Sequence, residues 1–275
     1  MYSKKKSNFT SYNTRKMKKL NSILIVAMVI MTIGATKSAA QMTGKQIMES
    51  VYNAPSGEDM QGELSMTLIN KQGEQRVRKL KQYIKDVGDT EKKIMFFLFP
   101  ADVKGTSFMN WSYDNGKDDD QWIYLPALNR TKRISSEGKN DYFMGSDFTY
   151  DDLGDRHPDE DNHALLREEN LNGHFCYVVE SKPKKEDYIY SGIISWIMKE
   201  NMVGLKRDFY DEEGDLLKTL TIHEYDKIDG YWTILKTEMK NVQKDHKTVM
   251  EFSNVQINQG VADSKFTERS MTMGR

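Results

Sequence analysis

The sequence predicts a mainly β protein made of consecutive antiparallel strands, and three observations carry that expectation. Turn signals recur at short intervals: Lys71-Gln72-Gly73, Asn115-Gly116, Asn172-Gly173, Glu213-Gly214 and Asp229-Gly230. Between them, apolar and polar residues alternate with period two. Leu216, Lys218, Leu220 and Ile222 oppose Leu217, Thr219, Thr221 and His223, and a similar alternation runs from Tyr231 to Met239. No helical crossover of ten or more residues separates these segments, so a parallel α/β sheet is not expected. A twisted sheet of about a dozen strands does not stay flat; it curls into a barrel, closes partly or splits in two.

The elements follow in chain order. Residues 1–40 hold eight cations and no acid. Met17-Lys18-Lys19 precedes an apolar run from Leu20 to Ala35, and Ser38-Ala39-Ala40 offers small residues ahead of Gln41. This is the pattern of an export signal cleaved after Ala40. Its apolar run of sixteen residues would span only ~24 Å as a helix, short of the ~30 Å hydrocarbon core. Met17 is the better-placed start of the two, which leaves the choice between it and Met1 open. Residues 41–275 read as one domain, since no linker or repeat divides them.

Thr43-x-x-Gln46 fits a capping box, with Ile47, Met48 and Val51 on one helical face and a stop near Pro55. Strands are then expected near 61–70, 74–86, 91–99, 105–113, 120–125 and 130–136. After a loop-rich stretch, seven more follow near 163–170, 174–182, 188–199, 202–211, 215–226, 231–242 and 246–257. Ile94 to Phe99 is apolar on both faces: a central strand under the N-terminal helix, or one wall of an apolar cavity.

Composition and motifs exclude several function classes. Beyond residue 40 the chain carries 32 cations against 41 acids, so a nucleic-acid binder is not expected. One cysteine, Cys176, within an apolar strand, reads as a buried, inert thiol and leaves no disulfide framework. There is no nucleophile elbow, no phosphate-cradling loop and no HExxH. The run from Asp155 to His163 contains metal-type ligands, but neighbouring loop residues rarely close a site alone. Asp114 with Asp118–Asp120 reads as a solvated acidic hairpin. No metal, cofactor or catalytic group is therefore expected. A hydrolase would need two carboxylates facing one cleft at about 5–10 Å.

Residues 102–153 are dense in aromatics and include the basic strand Arg130-Thr131-Lys132-Arg133. Aromatics beside cations suit a ligand with an apolar body and an anionic head; the alternative is core aromatics beside a solvated strand face. Four blocks in this region, Asp102-Val-Lys-Gly-Thr, Asp119-Asp-Gln-Trp-Ile-Tyr-Leu-Pro-Ala-Leu, Arg130-Thr-Lys-Arg-Ile and Met144-Gly-Ser-Asp-Phe-Thr-Tyr-Asp-Asp-Leu153, closely resemble the outer-membrane lipoprotein-sorting protein family, within the LolA/LolB-like group. The likeness continues in Gly204-Leu-Lys-Arg and Phe252-Ser-Asn-Val. It implies an incompletely closed antiparallel β-barrel with helices as a lid. It further implies a non-enzymatic periplasmic carrier of lipid or lipoprotein acyl chains, moving them towards the outer membrane. The alternative is an adaptor of an inner-membrane exporter of the resistance-nodulation-division (RND) type.

On that reading Phe96, Leu98, Phe108, Trp122 and Tyr124 are the expected cavity residues. Arg130 and Arg133 are the expected head-group or lid contacts. The helix at 43–53 and the segment 149–153 are lid candidates. Gly145-Ser146-Asp147 reads as a tight turn before a helix, with Asp147 as its cap.

Overall fold

A computed structural model describes residues 41–274. The expected export signal, its cleavage point and the choice between Met1 and Met17 lie outside the described residues.

Each predicted strand segment forms a strand. The first six are β1 (Asp59–Ile69), β2 (Gln75–Asp86), β3 (Thr90–Phe99), β4 (Ser107–Tyr113), β5 (Asp120–Leu125) and β6 (Arg130–Arg133). The second group is β7 (Asp161–Leu171), β8 (His174–Pro183), β9 (Gly192–Met198), β10 (Gly204–Tyr210), β11 (Leu216–Ile228), β12 (Tyr231–Asn241) and β13 (His246–Ile257). The turns between them have the expected chemistry. At Asn172-Gly173 and Asp229-Gly230 both residues have positive φ, 53° and 94° in one case and 49° and 94° in the other. That is the backbone a two-residue hairpin requires to match the strand twist.

All thirteen strands form one antiparallel sheet, in the order β6-β5-β4-β3-β2-β1-β13-β12-β11-β10-β9-β8-β7. Two meanders are thus joined where β1 pairs with β13, with Leu64 opposite Phe252 and Met66 opposite Met250. The sheet's two edges, β6 and β7, are consecutive in sequence. The 134–160 segment between them must therefore pass from one edge of the sheet to the other, and it does so across one face.

That passage shows the sheet to be curled. Gln121 on β5 donates to the Tyr150 carbonyl at 2.8 Å, and Lys218 on β11 is ion-paired with Asp152. β5 and β11 stand seven places apart in the sheet, or about 34 Å at ~4.8 Å per strand if flat. Two residues of chain reach about 7 Å. Only a sheet rolled around the 134–160 segment brings both strands to it. The result is a half-open barrel, mainly β, as the sequence and the resemblance lead one to expect.

The concave face carries the main core, with Leu64, Met66, Leu80, Met95, Phe97, Phe108 and Met239 packed around Phe143 and Phe148 of the crossing segment. The opposite face of β3–β5 carries a second cluster of Ile94, Phe96, Met109 and Tyr124. It is covered by the C-terminal residues Val261, Phe266 and Met271, the last on α2 (Glu268–Met273). Ile94 to Phe97 is therefore buried on both faces for two separate reasons. A third cluster, on β8–β10, encloses Cys176, whose thiol is fully buried and whose pKa is raised by that burial.

The N-terminal helix α1 (Gly44–Tyr52) forms as predicted. Thr43 Oγ1 accepts from the Gln46 amide at 3.2 Å, and Gln46 Oε1 accepts from the Thr43 amide at 2.9 Å. Gly44 starts the helix directly against the edge strand β7; a Cβ there would lie 2.8 Å from the Ala164 carbonyl carbon. The helix thus covers the β7 edge, which would otherwise present unpaired backbone groups.

Candidate functional site

The Met144–Leu153 block is the fastening of the crossing segment, and its residues are used nearly one by one. The Met144 carbonyl accepts from Arg78 on β2. Asp147 accepts at 2.7 Å from both Thr248 and His246 on β13, and its amide donates to Thr248 at 3.0 Å. This corrects the expectation for Asp147: it caps no helix but ties the segment to the sheet. Thr149 and Asp152 exchange backbone and side-chain hydrogen bonds at 2.6 and 3.2 Å. Asp151 accepts from Tyr188, and Asp152 from Tyr190 at 2.9 Å.

Lys218 completes the fastening. It occupies an inward, apolar register position on β11 and is fully buried. Its ammonium pairs with Asp152 and lies 4.9 Å from the Tyr190 ring and 5.2 Å from the Phe209 ring. A charge buried this way persists only because it is paired and surrounded by acceptors and ring faces. The same buried surroundings raise the Tyr188 and Tyr190 hydroxyl pKa values above the ordinary tyrosine range, desolvation first and the neighbouring aspartates next.

Between α1, the crossing segment and the concave sheet lies a cleft of about 370 Å³. Its floor is apolar, made by Phe148, Ile193, Phe209, Leu220 and Met239, and α1 contributes Met48 and Val51 from above. Its lip is charged, with Glu91 and Lys93 from β3, Asp155 and Arg156 from the crossing segment, and Arg207 from β10. Strand register explains the layering. Arg207 stands opposite Ser195 on β9 and Leu220 on β11, and one step deeper Phe209 stands opposite Ile193 and Lys218.

The lip charges differ in how they are held. Arg156 donates to Asp161 and Glu160 and stacks on Tyr188 with 3.8 Å from guanidinium carbon to ring centre. Burial works against its charge, but those carboxylates and Tyr188 raise its pKa further. Lys93 reaches Glu91 at 3.3 Å and the Leu153 carbonyl at 3.3 Å. Burial opposes its ammonium, and Glu91 and Asp155 outweigh that and leave its pKa raised. Asp155 has open surface towards the cleft, yet protein surrounds its carboxyl. Loss of bulk water and then the charge of Glu91 push it up to about 6, with Lys93 acting the other way. Such a carboxyl can exchange a proton near neutral pH.

The metal-type ligands of the 155–163 run are engaged with their neighbours. Asp161 pairs with Arg156 at 2.7 Å; the His163 ring bonds Ser181 and the Pro158 carbonyl at 2.8 Å each; the His157 ring accepts from the Asp159 amide at 3.1 Å. Among the described residues no group of three or more such side chains stands as a metal site. The acidic hairpin is only half solvated, which corrects that expectation. Asp114 and Asp118 are exposed, but Asp119 accepts from Ser112 and the Asp155 amide, and Asp120 is buried against Tyr113, Lys117 and Arg133.

The expected ligand residues fall elsewhere than in this cleft. Phe96, Trp122 and Tyr124 belong to the cluster beneath α2, on the face opposite the concave core. Leu98 shares their parity and is 44% exposed. Phe108 does face the concave side, where Phe143 and Tyr150 cover it at ring distances of 5.3 and 5.7 Å. Arg133 turns to Asp120, and Arg130 is exposed on the short edge strand β6. None of the seven lines the cleft. Two-sided burial of β3 hid which face is concave, and period two alone assigns no face to the inside. One residue of the lip had a legible signal: Arg207 stands between Leu205 and Phe209 as the charge in an otherwise apolar row of β10, whereas Lys93 follows Glu91 in its row of β3.

A half-open antiparallel barrel with its edge-to-edge segment folded inside, and a cleft beneath an N-terminal helix, defines a LolA-type fold. Comparisons place the chain within it. A family model described as "-like: Uncharacterized protein" matches residues 89–273. The solved structure of a DUF1329 family protein from Desulfovibrio piger is 32% identical, with a TM-score of 0.79 over 83% of this chain and 97% of that one. An outer membrane lipoprotein-sorting protein domain from Vibrio parahaemolyticus is 34% identical, with a TM-score of 0.79 over 83% of this chain and 98% of that one. A LolA superfamily protein from Nitrosomonas europaea shares the fold at 18% identity, with a TM-score of 0.65 over 84% and 100% of the two chains. No curated protein matches the chain. The chain belongs to the family of the Vibrio parahaemolyticus outer membrane lipoprotein-sorting protein domain, and it is as similar to the Desulfovibrio piger DUF1329 family protein.

Proposed function

We propose that this protein is a non-catalytic periplasmic carrier, delivered there by residues 1–40, that shelters acyl chains of a lipid or lipoprotein on their way to the outer membrane. The observation that carries the reading is the cleft under α1, with its apolar floor and charged lip. Each methylene moved from water onto that floor contributes about 0.8 kcal/mol, so an acyl tail is strongly drawn in. Its volume of about 370 Å³ sits at the low end of the ~300–1,000 Å³ usual for small-molecule sites and suits one chain.

Release needs a cover that opens at low energy, and the two lid candidates differ in this. The 149–153 segment is fastened by buried bonds to Lys218, Tyr188 and Tyr190. Helix α1 is anchored at its start by Gly44 against β7 and by the buried Ile47, but beyond these its side chains are held beside the cleft only by a Lys45–Asp159 ion pair at 2.7 Å between half-exposed groups and by an edge contact of Tyr52 on His157. Exposed ion pairs contribute little, so α1 is the moving cover and the crossing segment is the fixed plug.

The test is mass spectrometry of an organic extract of the mature protein purified without detergent from its native periplasm. A stoichiometric lipid or acylated peptide is expected. A folded protein that carries none, and takes none up in vitro, overturns the carrier reading and leaves that of an exporter adaptor.

A further inference from the structure

Arg207 differs from every other cation of the cleft. Arg156 is enclosed by Asp161, Glu160 and Tyr188, and Lys93 by Glu91 and the Leu153 carbonyl. The Arg207 guanidinium makes no hydrogen bond and no ion pair with any described residue, although it is part-buried in the cleft wall. Burial lowers its pKa from the ordinary arginine value, and Asp155 and Asp152 offset this only as charges acting at longer range. Five N–H donors in a fixed fork are thus held in a water-poor wall without an acceptor. A buried charge left so is unfavourable unless something accepts from it.

Its position says what that acceptor is attached to. Arg207 and Phe209 lie on the same face of β10, and Leu220 faces Arg207 across the β10–β11 pair. Leu220, Phe209, Ile193 and Met239 form the apolar floor just below. The guanidinium therefore stands at the boundary between that floor and the charged lip, where the head of a single-chain amphiphile would come to rest.

We propose that Arg207 is the head-group receptor of the cleft, and that the cargo is a single-chain amphiphile ending in an oxyanion, a carboxylate or a phosphate, held by the planar fork. The proposal rests on the carrier reading and narrows its substrate class. An acyl chain joined to a protein through an ester or amide has no anionic head, so the proposal favours free anionic lipid over the lipid moiety of a lipoprotein. A planar, two-toothed guanidinium pairs with carboxylate or phosphate far better than an ammonium does. Asp155 is the lip carboxyl whose charge acts on both Arg207 and Lys93, and it becomes neutral as the pH falls through about 6, a range where head-group oxyanions still carry charge.

The experiment measures binding of three probes of equal chain length by isothermal titration: palmitic acid, hexadecyl phosphate and hexadecanol. The wild type is expected to bind at least one anionic probe about tenfold or more tighter than hexadecanol, and which anion wins names the head group. Arg207→Gln should lose that preference while hexadecanol binding is unchanged, and Arg207→Lys should recover only part of it. Because Arg207 has no partner to lose, Arg207→Gln should melt at or above the wild-type temperature. A wild type that binds all three probes alike, or an Arg207→Gln variant that keeps the preference, overturns the receptor role while the carrier reading stands. A wild type that binds none of the three overturns both. A lower melting temperature for Arg207→Gln would show a structural ion pair in place of a free receptor.

Discussion

Replacing Lys218 by methionine removes the ammonium and keeps most of the stem that packs between Tyr190 and Phe209. Lys218 is 0% exposed and Asp152 5% exposed, so neither charge is relieved by water when the other is removed. Breaking such a pair by deleting one partner destabilises by about 3–5 kcal/mol. Asp152 keeps two donors after Lys218→Met, the Thr149 amide at 2.6 Å and the Tyr190 hydroxyl at 2.9 Å. That places the expected loss at the lower end, about 3 kcal/mol, or a fall in Tm of about 6–12 °C for a chain of this size. Asp152→Asn should be similar, because it strands the buried ammonium. The double variant Lys218→Met/Asp152→Asn leaves no buried charge and should lose only about 1–2 kcal/mol. Urea unfolding of the four proteins then yields a coupling energy of at least about 2 kcal/mol. Hydrogen exchange should rise first at 147–153 in both single variants, because the pair joins that segment to β11. Losses that simply add, with coupling below about 0.5 kcal/mol, would refute the argument that this pair fastens the crossing segment.

Three further outcomes follow from the same geometry. Phe96→Ala should destabilise by about 3–4 kcal/mol, as emptying an aromatic core position does, and yet leave amphiphile affinity unchanged, because Phe96 lies under α2 and not in the cleft; reduced affinity in a folded variant would show that the α2 face holds ligand. Gly44→Ala should destabilise by about 1–2 kcal/mol despite its better helix propensity, since the new methyl meets the β7 backbone at 2.8 Å; a gain in Tm would show that α1 sits more loosely on that edge. Asp120 is opposed by burial, but bonds from Tyr113, Arg133 and Lys117 outweigh it and hold its carboxyl at about 2. A depressed native pKa adds stability that is present above the unfolded value near 4 and lost as pH falls through about 4 to 2, a contribution reduced by solvent screening of the exposed Arg133 and Lys117. In a pH series of urea midpoints, Asp120→Asn should flatten that acid limb, and an unchanged slope would count against the assignment.

The fold class was legible in the sequence because its signals are local. Turn pairs such as Asp229-Gly230 set hairpins through their own backbone preferences, and period-two alternation places residues on faces without reference to anything distant. The Thr43–Gln46 box is local too, and it caps α1 as expected. Even Lys218 and Arg207 announced themselves as charges in apolar rows. The sequence alone left open which row faces inward. That was decided by the pairing of β1 with β13, which places β6 and β7 at the open edges and sends 134–160 through the interior. Once that segment occupies the concave face, Met95, Phe97 and Phe108 become core, and Ile94, Phe96 and Tyr124 turn outward to be covered by α2. The physical reason is that alternation fixes the difference between two faces but not which is inside. Inside is defined only when strands seven places apart close around a common segment, and that is a long-range contact no local window contains.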